Sequence, residues 1–249
     1  MIYIKNHEQI TQIKKACAIW KQTRDQLLKY IKPGLTTKQV DLKAKEIIES
    51  LGGIPTFYKL YNFPGHICIC VNEQLIHGVG SDYVLQPNDL VTCDIGVTYN
   101  NYVCDAAFSL VLSPSNDPEK LRILEATTEA LDSTIELIAP GVRIGDLSHN
   151  TEKVANQYGY KVVQDFAGHG CGLKPHEDPI ILNYGTPNTG PELKPGMIIC
   201  LEPMFLTDDY HYTIDKKNRW TVSSKNKKLT CHVEHMILVT DTGHEVLTK

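Results

Sequence analysis

The 249-residue sequence has no uninterrupted apolar run near the roughly 20 residues that a membrane-spanning helix needs. Its first residues do not read as a leader of the charged-then-apolar kind either. Met1 to Lys15 mixes Lys, Asn, His, Glu and Gln with single Ile residues. No charge of one sign dominates: 25 Lys and Arg stand against 29 Asp and Glu, a net charge of -4. That balance gives no sign of a nucleic-acid or membrane partner. There are eight cysteines but no second Cys pair beside Cys68-Ile69-Cys70, which argues against a structural zinc site. Cys68, Cys70, Cys93, Cys104, Cys200 and Cys231 fall on predicted strands, Cys17 on a helix and Cys171 in a Gly-rich loop. This usage predicts buried, reduced thiols in a cytoplasmic protein. What is left is a globular chain, 42% apolar, forming one large domain or two fused halves.

Periodicity places the helices. Ile10, Ile13, Cys17, Trp20, Leu27 and Ile31 recur at helical spacing over residues 7 to 31, with Asn6 as cap and Gln9 behind it. Thr36 and Gln39 read as a capping box for a second helix stopped by Gly52. Asp117-Pro118 opens a long third helix, and a fourth runs from about Gly145 to Tyr158 before Gly159. Strands are predicted over 65–71, 162–166, 197–205 and 230–240, with a loop from Asn72 to Tyr83. Leu90 to Leu112 reads as a hairpin. Centring its turn between Tyr99 and Asn100 sets Asp94 directly opposite Asp105.

The order repeats. Pro33-Gly34-Leu35 returns as Pro140-Gly141-Val142, an offset of 107. Pro87 to Asp94 aligns with Pro195 to Glu202 at an offset of 108. A single domain over 1–249 built from two pseudo-symmetric halves, roughly 1–112 and 113–249, is expected. Asp94 and Glu202 would then flank one centre.

Five side chains stand where chemistry is the economical explanation. Asp94 and Asp105 lie inside an apolar ribbon. Glu202 ends the apolar run Met197 to Leu201, and Glu234 sits within Cys231 to Val239. His169 lies in Gly168-His169-Gly170-Cys171-Gly172, where glycines let the backbone approach a ligand. If the acids were only ion-paired, basic partners would be expected beside them, and none is adjacent in sequence. Four carboxylates and an imidazole in one core need about two divalent cations. The imidazole shifts the expected metal toward Mn, Fe, Co or Zn. Such a pair can activate a water for hydrolysis. His77 and His176, each in an irregular loop, are the spare imidazoles for hydrogen bonding to substrate.

These motifs resemble those of the type I methionine aminopeptidases, whose "pita-bread" fold is shared with prolidase and aminopeptidase P. The likeness covers essentially the whole chain. It is carried by Cys68-Ile69-Cys70-Val71-Asn72-Glu73 leading to His77-Gly78, Asp94-Ile95-Gly96 with Asp105 eleven later, Gly168 to Gly172 leading to His176-Glu177, Glu202-Pro203-Met204 and Glu234-His235. The resemblance implies an α+β fold with a curved, mostly antiparallel sheet covered by helices. It implies Asp94, Asp105, His169, Glu202 and Glu234 as ligands of two divalent ions, Asp105 and Glu234 bridging, with Glu202 also accepting the proton of the attacking water. His77 would contact the scissile amide and His176 the substrate carbonyl. Phe63, Cys68 and Trp220 would receive the methionine side chain. The implied substrates are nascent polypeptide N-termini, met at the ribosome by a cytoplasmic monomer with no nucleic-acid or membrane partner of its own. Two positions that are often aromatic in the family are Leu60 and Pro175 here. A prolidase-like or aminopeptidase P-like peptidase, or a non-catalytic peptide-binding relative, are the alternatives.

Overall fold

The computed structural model describes all residues, 1–249. Four helices form where the periodicity puts them: α1 (His7–Tyr30), α2 (Thr37–Ser50), α3 (Pro118–Ile135) and α4 (Ile144–Tyr158). Asn6 and Thr36 each close a capping box with Gln9 and Gln39, so the first free N–H groups of α1 and α2 are satisfied by side chains. Asp117 caps α3 through Glu119 N and Lys120 N, with Pro118 in its first turn. α4 ends on Gly159 at φ 80, a left-handed position that glycine adopts freely.

The strands pair antiparallel, and all but the long hairpin Leu90–Tyr99 and Tyr102–Val111 are short. One sheet pairs Ile54–Pro55, Cys68–Val71 and Tyr102–Val111 with Leu90–Tyr99. A second holds His244–Val246, His235–Val239, Ile198–Leu201, Ala167–Gly170 and Glu177–Leu182 in that order. Two three-stranded pieces join them, one built on Met204–Leu206 and one on Val222–Ser224.

Strand alternation decides where the acids point. Val91, Cys93, Ile95 and Val97, with Cys104 and Ala106 opposite, pack into a core with Ile13, Trp20 and Val40 of α1 and α2. The intervening residues, Asp94 and Asp105 among them, face away from these helices. In the second half Ile199, Leu201 and Ile237 pack on Leu131, Ile135 and Leu147 of α3 and α4. Glu202 and Glu234, one residue out of step, turn to the opposite face. Each half therefore covers one sheet face with helices and offers its acids on the other.

The hairpin corrects the expected register. Asn100 (φ 48) and Asn101 (φ 66) are both left-handed and both lie inside the turn, so Tyr99 pairs with Tyr102. Asp94 then faces Ala107 and Asp105 faces Gly96. The two aspartates are diagonal neighbours. They keep a common face because the ladder shifted by a whole pair and not by a single residue. Other predicted elements also differ: the strand expected over 162–166 is only Lys161–Val162, and the Gly-rich loop around His169 holds the strand Ala167–Gly170. The run 197–205 breaks into Ile198–Leu201 and Met204–Leu206, the run 230–240 into Thr230–His232 and His235–Val239, and the loop after Asn72 contains a strand, Gln74–Ile76.

Hydrogen bonds recur at the spacing of the sequence repeat. Gly34 N donates to Leu85 O, and Gly141 N to Leu193 O, both at 2.9 Å. Leu85 N donates to Leu35 O at 2.8 Å and Leu193 N to Val142 O at 2.7 Å.

Candidate metal centre

The two strand breaks face each other. Leu201 pairs with His235 and Met204 with His232, so the same register carried through the gap sets Glu202 opposite Glu234. Glu234 also exchanges both backbone bonds with Ala107: its N–H reaches Ala107 O at 3.0 Å, and Ala107 N reaches its carbonyl at 3.3 Å. Asp94, Ala107, Glu234 and Glu202 therefore form one row across four strands. The small Ala107 side chain leaves space in the middle of it. Asp105 flanks the row from one side. His169, whose cross-strand partner is Cys200, comes from the same side.

All five sequence-predicted ligand candidates meet here. Carboxylate oxygens of Asp94, Asp105 and Glu234 lie within 4.8 Å of one another, and so do ligand atoms of Asp105, His169 and His176. Glu202 Oε1 is 3.4 Å from His169 Nε2. Asp105 and Glu234 are buried, and the Glu202 side chain is 12% exposed. No lysine or arginine stands within ion-pair distance of any of the four acids, whereas Lys5 and Glu177, buried nearby, do pair at 2.7 Å. Asp94 Oδ1, Asp105 Oδ1 and Glu234 Oε1 are buried without any partner. Buried carboxylates in that state need cations or protons. Without cations they hold protons. Burial pushes Asp94 up to about 7, against hydrogen bonds to Cys68 and Asp105. Burial, then the Glu234 and Asp94 charges, lifts Asp105 well above the carboxylate range. Burial and the neighbouring acids do the same to Glu202 and Glu234. Orphaned hard oxygens beside an imidazole, with no organic cation in reach, fit a site for divalent metal.

The row opens onto a cavity of about 350 Å³. Phe63, Cys68, His77, His176 and Trp220, all singled out from the sequence, line it. Cys68 is the cross-strand partner of Asp94, which fixes its thiol beside the acids. Phe63 and Trp220 meet edge to face at 5.2 Å. His77 sits at φ 55 with its ring edge-on to Phe166 and Trp220. The next residue must be glycine, because a Cβ at Gly78 would stand 2.1 Å from Ile69 O. Burial, then the nearby His176, lowers His77 to about 4. The same causes, in the same order, lower His169 to about 4. Leu60 is in the wall as well, and the aromatic surface comes from Phe57, Tyr61 and Phe166 instead. Tyr61 lies parallel to His176 at 6.2 Å.

Two residues that bring metal-ligand atoms to this centre escaped the sequence reading. His232 lines the cavity with both ring nitrogens unpartnered. Cys200 has its sulfur within 4.8 Å of ligand atoms of His169 and Glu234. The signal available for both was spacing: each stands two residues before a candidate acid, on the same face of an extended chain.

The model of metallopeptidase family M24 matches residues 11–241. The methionine aminopeptidase of Mycoplasmoides gallisepticum is 39% identical over 251 residues, with 100% of both chains covered. Methionine aminopeptidase 1 of Bacillus subtilis is 37% identical over 249 residues, again with 100% of both covered. Among solved structures, the methionine aminopeptidase of Thermotoga maritima superposes with a TM-score of 0.97 at 35% identity over 100% of both chains. The prolidase of Pyrococcus furiosus gives 0.81 at 28% identity, with 99% of this chain and 65% of that one covered.

Proposed function

The chain belongs to metallopeptidase family M24, and on that footing we propose that it is a methionine aminopeptidase, a hydrolase that removes the initiator methionine from nascent chains whose second residue is small. One observation carries the reading: four acids and an imidazole converge on the wall of an aromatic cavity with no basic side chain to neutralise them. Asp94, Asp105, His169, Glu202 and Glu234 would hold two divalent ions of Fe, Mn, Co or Zn. When bound, such ions polarise a carbonyl and make a water acidic enough to attack it at neutral pH.

The protein side chains do the rest. Glu202 reaches the cavity and takes the proton of the attacking water on a carboxylate oxygen. His77, uncharged at neutral pH, offers one ring N–H to the scissile amide and holds it in line. His176, opposite, donates to the substrate carbonyl oxygen and to the oxyanion that develops there. Phe63, Trp220 and the Cys68 thiol receive the methionine side chain, whose thioether is well matched to ring faces and edges. The whole chain acts as one catalytic domain of two halves, 1–112 and 113–249. Its expected setting is the cytoplasm, as a monomer meeting nascent N-termini at the ribosome. No helix is long and apolar enough to cross a membrane.

The test is an assay of the metal-reconstituted protein on Met-Ala-Ser, Met-Ile-Ser and Ala-Pro peptides. Methionine should be released from the first alone. The prolidase likeness supports a second reading, cleavage before proline, and hydrolysis of the Ala-Pro peptide instead would replace the first reading with it.

A further inference from the structure

We propose that His232 is a sixth protein ligand, giving the centre a second metal-binding imidazole. The proposal rests on the metal-centre reading above and goes beyond its five ligands. The His232 side chain is 2% exposed, yet neither Nδ1 nor Nε2 has a hydrogen-bond partner. Buried imidazole nitrogens are almost always satisfied, so a ring with both free points to something it meets there. Nε2 lies 3.8 Å from Glu202 Oε2 and 3.9 Å from Glu234 Oε2. Both separations are too long for hydrogen bonds. They suit donors that share an ion: with each donor about 2.0–2.2 Å from the metal, two of them stand roughly 3–4 Å apart.

The surroundings hold the His232 backbone in place. His232 pairs with Met204 across the ladder, and its carbonyl accepts from Ser109 Oγ at 2.6 Å. Glu202 consequently stands between two imidazoles, Oε1 toward His169 at 3.4 Å and Oε2 toward His232. The arrangement distributes nitrogen donors to both sides of the carboxylate row, where five ligands would leave them on one side only.

Cobalt(II) is the probe. X-ray absorption of the native protein loaded with two cobalt ions should count two imidazoles per pair of metals. His232→Gln and His169→Gln should each count one. Calorimetric titration of His232→Gln should show one of the two cobalt sites weakened about tenfold or more, the scale on which ligand-shell changes act. A count of one imidazole in the native protein, or cobalt affinities unchanged in His232→Gln, would overturn the proposal while leaving the five-ligand centre standing. Failure of the native protein to take up cobalt would remove that centre and this ligand together. The count on native protein needs no substitution, so a misfolded variant cannot obscure the result.

Discussion

His77 illustrates how burial sets chemistry at a single residue. Its imidazole is enclosed by Phe166 and Trp220, and its conjugate acid falls to about 4 because the cation loses water without gaining an anion. A free imidazole titrates near 6.5, so the unfolded chain binds a proton that the folded chain refuses over that interval. The contribution of His77 to stability is therefore complete above about pH 6.5 and is lost as the pH falls toward 4. His77→Gln has no such proton to refuse. Denaturant unfolding at pH 7 and pH 4.5 should show a smaller loss on acidification in the variant than in the native chain, and equal losses would show that His77 is solvated. At this scale the sequence was informative. A carboxylate inside an apolar run, as at Asp105 or Glu234, or a histidine between glycines, as at His169, is costly without a ligand. His232 carried no such mark, because a histidine at a strand end is ordinary until its neighbours are known.

At the scale of elements, the helices were legible and the strand breaks were not. Capping boxes at Asn6 and Thr36 and the stop at Gly159 are local chemistry, printed in consecutive residues. The interruption at Glu202–Pro203 had one local sign, the proline. The one at Val233–Glu234 had none; it lies opposite the break in the facing strand, a match that only the tertiary pairing reveals. The hairpin register missed by one pair because two adjacent asparagines allow two turn centres, and tertiary pairing chose between them. Another element depends on a distant contact. The loop Cys171 to His176 is held by Glu177, whose Oε1 accepts from Leu173 N at 2.7 Å and Lys174 N at 2.9 Å while Oε2 takes Lys5 Nζ at 2.7 Å. Both partners of that ion pair are almost fully buried. Lys5→Met should strand the Glu177 charge and cost about 3–5 kcal/mol in urea unfolding. A loss within about 0.5 kcal/mol, the size of an ordinary surface change, would show that the pair is solvated after all.

For the molecule as a whole, two helix-covered sheets, one from each half of the chain, turn toward one centre where the charged groups are four acids with His169, His176 and His232 beside them. The equivalent bonds at Gly34 and Gly141 set the two halves on one plan. With four unpaired carboxylates between them, the halves should hold together better with cations than without. Chelation at pH 7.5 should lower the melting temperature, and added Mn or Co should restore it, because ions that bind only the folded state stabilise it by mass action. A melting temperature indifferent to chelator would mean that the acids carry protons and not metal.

All eight cysteines are buried, and none is paired with another. Folded, the chain should be silent to a colorimetric thiol reagent; opened, it should react eight times. Sulfur thus keeps an optical tally of integrity, and Cys68, beside Asp94 in the cavity wall, should be the first to register a loosened centre.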